Sequence, residues 1–198
     1  MCGLGNPGPE YQDSRHNLGF WVADLLGERF KGRWRRPADD RLECRIKIAN
    51  RPVSLVKPLT YMNLSGESLG LYASRPDFDP ESLLVVCDDT ALPLGRLRLR
   101  GKGNDGGHNG LGSVIDALGT TGFPRLRLGV GPVPEGTDQA QFVLSAPVGK
   151  DLESARELAK RAADCVVVWV REGINPAMSR FNTRGSADPK GENGANGD

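Results

Sequence analysis

The chain has 198 residues, of which 38% are apolar and 26% charged, values typical of one soluble globular domain. Its formal net charge of +1 does not by itself indicate a nucleic-acid partner, so the distribution of charge has to be considered instead. No apolar run is long enough to span a bilayer, and the first residues are not a secretory signal. We therefore expect a cytoplasmic protein without a membrane partner.

The predicted elements alternate between strands and helices, which favours an α/β sheet. Apolar alternation or short apolar runs predict strands at residues 2–5, 42–49, 53–57, 82–87, 96–100 and 125–130. Helical periodicity predicts helices at 17–30, 65–74, 110–118, 151–172 and 176–181, the second capped by Asn63 or Ser65. Residues 183–198 are polar and rich in glycine, and we expect a disordered tail there. The four cysteines are scattered, which predicts free thiols.

His16 lies between a proline-rich loop and a predicted helix. Imidazole can accept and return a proton near neutral pH, so a general base is one interpretation and a surface helix cap is another. Asp88 ends the most apolar strand, where a carboxylate could fix the tautomer of a neighbouring imidazole.

Asn6, Asn63, His108 and Asn109 also lie at loop ends. Together with His16 and Asp88 they could form a hydrolytic pocket, although these residue types also populate loops for turn chemistry alone.

Arginines repeat at every second position of two predicted strands, which places them on one face of each. They are Arg96, Arg98 and Arg100 on the first strand, and Arg125 and Arg127 on the second. Arginine on two strands favours phosphate recognition over a merely solvated face. The basic cluster at 29–36 lacks this pattern and is expected to be a solvated turn.

A dinucleotide-binding loop and a metal site are the alternatives to a hydrolytic pocket. Residues 3–8 match the dinucleotide pattern G-x-G-x-x-G, but prolines at 7 and 9 prevent the helix that should open there. His16, Asp88 and His108 could ligate a metal, although their spacing is not that of a helical metal motif. We expect neither a cofactor nor a metal.

Five ordered segments resemble the bacterial-type peptidyl-tRNA hydrolases, and the resemblance extends from residue 1 to 182. The segments are Gly-Leu-Gly-Asn-Pro-Gly at 3–8, Ser-Arg-His-Asn-Leu-Gly at 14–19, Lys-Pro-Leu-Thr-Tyr-Met-Asn-Leu-Ser-Gly-Glu-Ser at 57–68, Gly-Gly-His-Asn-Gly-Leu at 106–111 and Phe-Pro-Arg-Leu-Arg-Leu-Gly-Val-Gly at 123–131. The resemblance implies a single α/β domain with a twisted mixed β-sheet flanked by helices. It also implies hydrolysis of the ester that joins a peptide to the 3′ ribose of tRNA, without a metal or cofactor.

The resemblance further implies a catalytic role for three residues. His16 would be the general base, Asp88 would orient it, and Asn6 would help to reject unblocked aminoacyl-tRNA. A non-catalytic RNA-binding relative of the same fold is the alternative, and the presence of these residues favours the enzyme.

Substrate-binding roles are implied for a second group of residues. Asn63 and Asn109 would bind the peptide backbone and the tRNA 3′ end, and would place the water or stabilise the oxyanion. Tyr11, Tyr61 and Met62 would line the cleft. His108 would lie in its rim. Arg100 and Arg127 would bind the 5′-terminal phosphate of the acceptor stem, and the protein is expected to act as a monomer.

Overall fold

The computed structural model describes residues 1–182, so the expected tail at 183–198 lies outside the described residues. Seven strands are present in that range: β1 (Cys2–Gly3), β2 (Trp34–Ala38), β3 (Arg41–Ile48), β4 (Arg51–Pro58), β5 (Val85–Pro93), β6 (Leu97–Arg100) and β7 (Arg125–Gly131). The α-helices of the same range are α1 (Leu18–Arg29), α2 (Gly70–Ala73), α3 (Asn109–Leu118), α4 (Gln139–Leu144), α5 (Lys150–Glu172) and α6 (Ile174–Phe181). None of these helices is both long and apolar enough to cross a bilayer.

The seven strands form one mixed sheet in the order β2-β3-β4-β1-β5-β7-β6. The central strands β4, β1, β5 and β7 run parallel to one another, whereas β2 and β3 on one side and β6 on the other pair antiparallel. The expected mixed α/β sheet is confirmed. Its parallel centre matters most for function, because side chains that follow β1 and β5 emerge at the same edge of the sheet.

Two apolar cores lie on opposite faces of the sheet. Alternate residues of β5 divide between them: Val86 packs with α1 and α5, and Val85 and Cys87 pack beneath α3. Each fully buried aliphatic side chain contributes about 1.5–3 kcal/mol to folding. All four cysteines are buried and unpaired, as expected.

Helix α1 lies unusually close to β1 because two glycines meet at the crossing. A Cβ on Gly3 would overlap the carbonyl of Gly19, and a Cβ on Gly19 would overlap the backbone of Leu4 and Val86. The 3–8 segment has no dinucleotide-type helix, since α1 begins only at Leu18. Its first glycine therefore serves helix–strand packing.

Two predicted elements differ from those observed. The cluster at 29–36 is not a solvated turn throughout, because β2 pairs with β3 and its Trp34 packs against the core. Residues 65–74 do not form one helix. They fold as the 3-10 turn Glu67–Leu69 followed by the short α2, with no side-chain cap from Asn63 or Ser65. A Cβ on Gly66 would overlap the carbonyl of Ser113, so this segment packs directly against α3. That contact replaces the single helix that the periodicity predicts.

Candidate active site

A cleft of about 690 Å³ opens where the loop after β1 and the middle of β5 meet the start of α3. Nearly all of the residues singled out from the sequence line it. They are Asn6, Tyr11, His16, Tyr61, Met62, Asn63, Asp88, His108, Asn109 and Arg127. Arg100 is the exception, since it lies on β6 and is not part of the lining. Residues from five separate segments thus converge on one concave surface.

His16 and Asp88 form the central pair of the cleft. His16 belongs to the 3-10 turn Arg15–Asn17 directly before α1, and its Nδ1 lies 2.7 Å from Oδ1 of Asp88. Asp88 lies within β5 and is buried. Because a carboxylate only accepts hydrogen bonds, Nδ1 carries the proton and Nε2 keeps its lone pair. The ring is therefore held in the tautomer that a general base requires.

His108 donates a second hydrogen bond to the same carboxylate oxygen. Its Nδ1 accepts from the backbone N–H groups of Gly110 and Leu111 at 3.1 and 3.2 Å, so the ring is the N-cap of α3. Since Nδ1 is an acceptor, the proton lies on Nε2, which is 3.0 Å from Oδ1 of Asp88. His108 is consequently a hydrogen-bond donor and helix cap, with no lone pair left for a second base.

This arrangement also bears on a metal centre. The ligand atoms of His16, Asp88 and His108 lie within 4.8 Å of one another. Coordination through His108 would need the lone pair of Nε2, but both N–H groups at the start of α3 fix the proton on that atom. The three groups fit a hydrogen-bonded relay and do not fit a metal site that uses all of them.

Two histidines keep the Asp88 carboxyl group ionised. Burial alone would raise the pKa of Asp88, but the electrostatic attraction and hydrogen bond of the His108 N–H group, and then those of His16, outweigh it. The pKa of Asp88 is therefore held well below its usual value. At neutral pH a negatively charged carboxylate therefore lies beside the His16 imidazole, which would become positively charged as a general base.

Asn6 is fixed by a network that includes Asn17, a residue the sequence did not mark for function. Asn17 accepts from the backbone N–H of Asn6 at 2.8 Å and donates to its carbonyl at 2.9 Å. The side-chain oxygen of Asn6 accepts from the backbone N–H of Met62 at 2.8 Å. Within residues 1–182 the Nδ2 amide of Asn6 has no protein acceptor, so Asn6 offers a donor to the cleft. Only the position of Asn17 directly after His16 hinted at this role.

Arg127 and Arg125 differ sharply although they share a face of β7. Arg127 Nε lies 3.0 Å from Asp89 Oδ2 at the cleft wall. Arg125 is completely buried and donates to backbone carbonyls, among them those of Gly103 and Thr121. The expectation that Arg125 presents itself for phosphate recognition is wrong, because the loop between β6 and α3 folds over it. That loop also contains His108, so the hydrogen bonds of Arg125 hold in place the segment that carries this histidine.

On β6 the predicted alternation is confirmed for residues 97–100, whereas Arg96 lies before the strand and is half-buried. Leu97 and Leu99 are buried, and Arg98 and Arg100 are exposed opposite Arg127 and Arg125. The exposed pair extends the basic face from the cleft to the edge of the sheet.

Helix α4 forms a further wall of the cleft and is absent from the predicted elements. Asp138 caps it by accepting from the N–H of Gln141, and Val143 and Leu144 line the cavity. Its six residues are too few for a clear helical periodicity.

The fold and the histidine–carboxylate cleft define an α/β enzyme of the hydrolase class. The chain belongs to the peptidyl-tRNA hydrolase family, because the family model described as Peptidyl-tRNA hydrolase matches residues 1–190. The family expected from the sequence motifs is thus confirmed.

Known proteins agree with this assignment. The chain is 41% identical over 182 residues to the peptidyl-tRNA hydrolase of Desulfitobacterium hafniense, covering 92% of this chain and 98% of the relative. It is 46% identical over 182 residues to that of Rubrobacter xylanophilus, covering 92% and 99%. The crystal structure of the peptidyl-tRNA hydrolase of Acinetobacter baumannii aligns with a TM-score of 0.86 at 31% identity, covering 92% of this chain and 93% of the other.

Proposed function

We propose that this chain hydrolyses the ester bond between the peptide and the 3′ ribose of peptidyl-tRNA, with His16 as the general base. The observation that carries the proposal is the 2.7 Å bond from Nδ1 of His16 to Asp88, which leaves Nε2 able to accept a proton. Ester hydrolysis at neutral pH needs such a base and a donor for the oxyanion.

In this mechanism His16 Nε2 removes a proton from a water molecule as the water oxygen attacks the ester carbonyl. Asp88 stabilises the imidazolium that forms, and Nδ2 of Asn6 donates a hydrogen bond to the negatively charged oxygen. The tetrahedral intermediate then collapses, the C–O bond to the ribose breaks, and His16 returns its proton to the 3′ oxygen. The products are the free peptide acid and tRNA with a 3′ hydroxyl.

Selection of peptidyl over aminoacyl esters follows from the amide side chains of the cleft. Asn63 and Asn109 line it and offer both donors and acceptors to the acylated nitrogen and the peptide backbone. A free α-ammonium group cannot reproduce those hydrogen bonds, and unpaired polar groups in a cleft are costly. Tyr11, Tyr61 and Met62 supply apolar contact, and Tyr61 is 61% exposed before any substrate binds.

The tRNA would approach along the basic face of β6 and β7. Arg100 is exposed there and Arg127 lies at the cleft wall, which suits binding of the acceptor stem and its 5′ phosphate next to the 3′ end. Arg127 would bind the phosphate while it remains paired with Asp89. We infer that the protein acts as a monomer, because a single chain contributes every residue of this mechanism, and that it acts in the cytoplasm, where translation takes place.

The test compares N-acetyl-aminoacyl-tRNA with its unblocked counterpart, each incubated with the purified protein and a chelator. The wild-type protein should release only the blocked amino acid. His16→Ala should lower kcat by about 10²- to 10⁴-fold and leave the Kd for tRNA unchanged, because the ring serves proton transfer and not tRNA binding. Asp13→Ala changes an exposed residue of the same segment and should keep full activity.

Equal loss of tRNA binding and turnover in His16→Ala would contradict the role of a base. Tight tRNA binding by the wild-type protein without any hydrolysis would instead support a non-catalytic RNA-binding relative.

A further inference from the structure

Helix α4, which forms one wall of the cleft, has few internal interactions that stabilise it. It is a six-residue helix, and a helix of that length is not stable in isolation. The segments on its two sides contain Gly136 and Gly149 with φ of 76° and 56°, a region open to glycine. Its main packing partner is the 3-10 turn Arg15–Asn17, which is the turn that carries His16.

Arg15 makes most of the polar contacts between these two elements. Its Nη1 donates to the carbonyl of Ser145 at 3.1 Å and to the Oγ of Ser145 at 2.8 Å. Its backbone N–H donates to the same carbonyl at 3.1 Å, and its guanidinium lies 4.4 Å from the ring centroid of Phe142. On the other side, Nη2 lies 3.8 Å from Asp151 in the first turn of α5. One buried side chain therefore joins the end of α4, the start of α5 and the turn of the base.

We propose that Arg15 is a positioning residue that fastens the α4 wall to the turn carrying His16, so that α4 stays in place to contact bound substrate. The proposal rests on the function proposed above. A cation at the carboxyl end of α4 is favourable, and the planar guanidinium meets the serine, the aromatic ring and the carboxylate at the same time. A lysine ammonium keeps the charge but cannot make this set of contacts.

The consequences for catalysis are specific. The bond from His16 to Asp88 does not involve the guanidinium, so kcat and its pH profile should persist when the guanidinium is replaced. Substrate contacts made by α4 should weaken, which raises KM. A residue that only stabilised the fold would instead lower the melting temperature without changing KM at low temperature.

The decisive variant is Arg15→Lys, with Arg29→Lys as the matched control. Arg29 pairs with Asp164 at 2.7 Å on the exposed surface of α1 and has no contact with α4. Loss of hydrogen bonds from a charged donor should accelerate amide hydrogen exchange at residues 142–145 about tenfold, while exchange in α3 stays unchanged. KM for N-acetyl-aminoacyl-tRNA should rise by a similar factor, with kcat within about twofold of the wild-type value.

A second variant, Ser145→Ala, keeps the carbonyl partner of Arg15 and removes the Oγ, which accepts from Arg15 and donates to the carbonyl of Phe142. If Arg15 acts through this residue, the effects of Arg15→Lys and Ser145→Ala on KM should be less than additive in the double variant. Unchanged exchange at 142–145 in Arg15→Lys would overturn the proposal, and so would a general increase in exchange throughout the protein. A wild-type protein without hydrolytic activity would refute the proposed function, and the exchange experiment would still decide the role of Arg15.

Discussion

Asp88→Asn separates the charge of the central carboxylate from its hydrogen bonds. His16 and His108 both donate to the same oxygen, Oδ1. An asparagine that places its carbonyl oxygen there can keep both hydrogen bonds and both tautomers, and only the negative charge is lost. The substitution therefore measures what the charge contributes to turnover.

The size of the effect follows from the geometry. When His16 takes a proton from water, its ring becomes positive next to a carboxylate whose side chain is only 2% exposed. Two unit charges about 4 Å apart interact by about 4 kcal/mol at an effective dielectric constant near 20. Since about 1.4 kcal/mol corresponds to a factor of ten in rate, kcat should fall by about 10³-fold.

The assay is single-turnover hydrolysis of N-acetyl-aminoacyl-tRNA, with Asp89→Asn as the neighbouring control. Asp89 pairs with Arg127 and does not contact either histidine, so its substitution should change KM more than kcat. If Asp88→Asn kept kcat within tenfold of the wild-type value, the carboxylate would not stabilise a protonated His16, and the proposed mechanism would be refuted.

We expect the effect of Asp88→Asn on the free energy of unfolding to depend on pH. Because the folded-state pKa of Asp88 is lowered, its carboxylate stabilises the folded protein above the unfolded value of about 3.9, and that contribution is lost as the pH falls toward the lower folded value. The difference in free energy of unfolding between wild type and Asp88→Asn should thus shrink from pH 5 toward pH 2.5. Urea titrations across that range would detect it, and a difference that grew with acidity would contradict the lowered pKa.

Two further substitutions test the surroundings of the site. Asn17→Ala leaves the buried backbone N–H and carbonyl of Asn6 unpaired, which should cost about 2–4 kcal/mol of stability in urea unfolding and lower kcat as well; unchanged kcat would show that Asn6 needs no such support. Arg100→Ala should reduce the slope of log Kd for tRNA against log salt by about 0.7–0.9, whereas Arg36→Ala on β2 should not, and equal slopes would exclude a phosphate contact at Arg100.

The sequence predicted the site better than it predicted the framework. His16 and Asp88 were identifiable because their chemistry stands out at loop and strand ends, and the cleft collects almost every residue named with them. Asn17 was not identifiable, because a residue whose side chain pairs with a distant backbone looks like an ordinary helix start. The network with Asn6 becomes visible only when residues eleven positions apart are brought together.

Other differences have a common cause in packing. Arg125 obeys the strand alternation, but no local pattern reveals that a loop will cover it and supply carbonyl acceptors. The basic composition of residues 29–36 predicted a solvated turn, whereas residues 34–38 form β2, whose Trp34 packs against the core. The short α4 carries no periodic signal because it has only six residues, and its contact with Arg15 joins positions more than a hundred residues apart.

At the Gly3–Gly19 crossing, backbone atoms alone set the distance between α1 and β1, and the position of His16 depends on this distance. His16 lies three residues before Gly19, in the 3-10 turn that leads into α1, so the separation of α1 and β1 affects how far the imidazole reaches into the cleft. We expect one added methyl group at either glycine to push α1 away from β1 and so to move the His16 ring relative to its carboxylate. We therefore expect inactivating substitutions to extend to positions that do not contact the substrate.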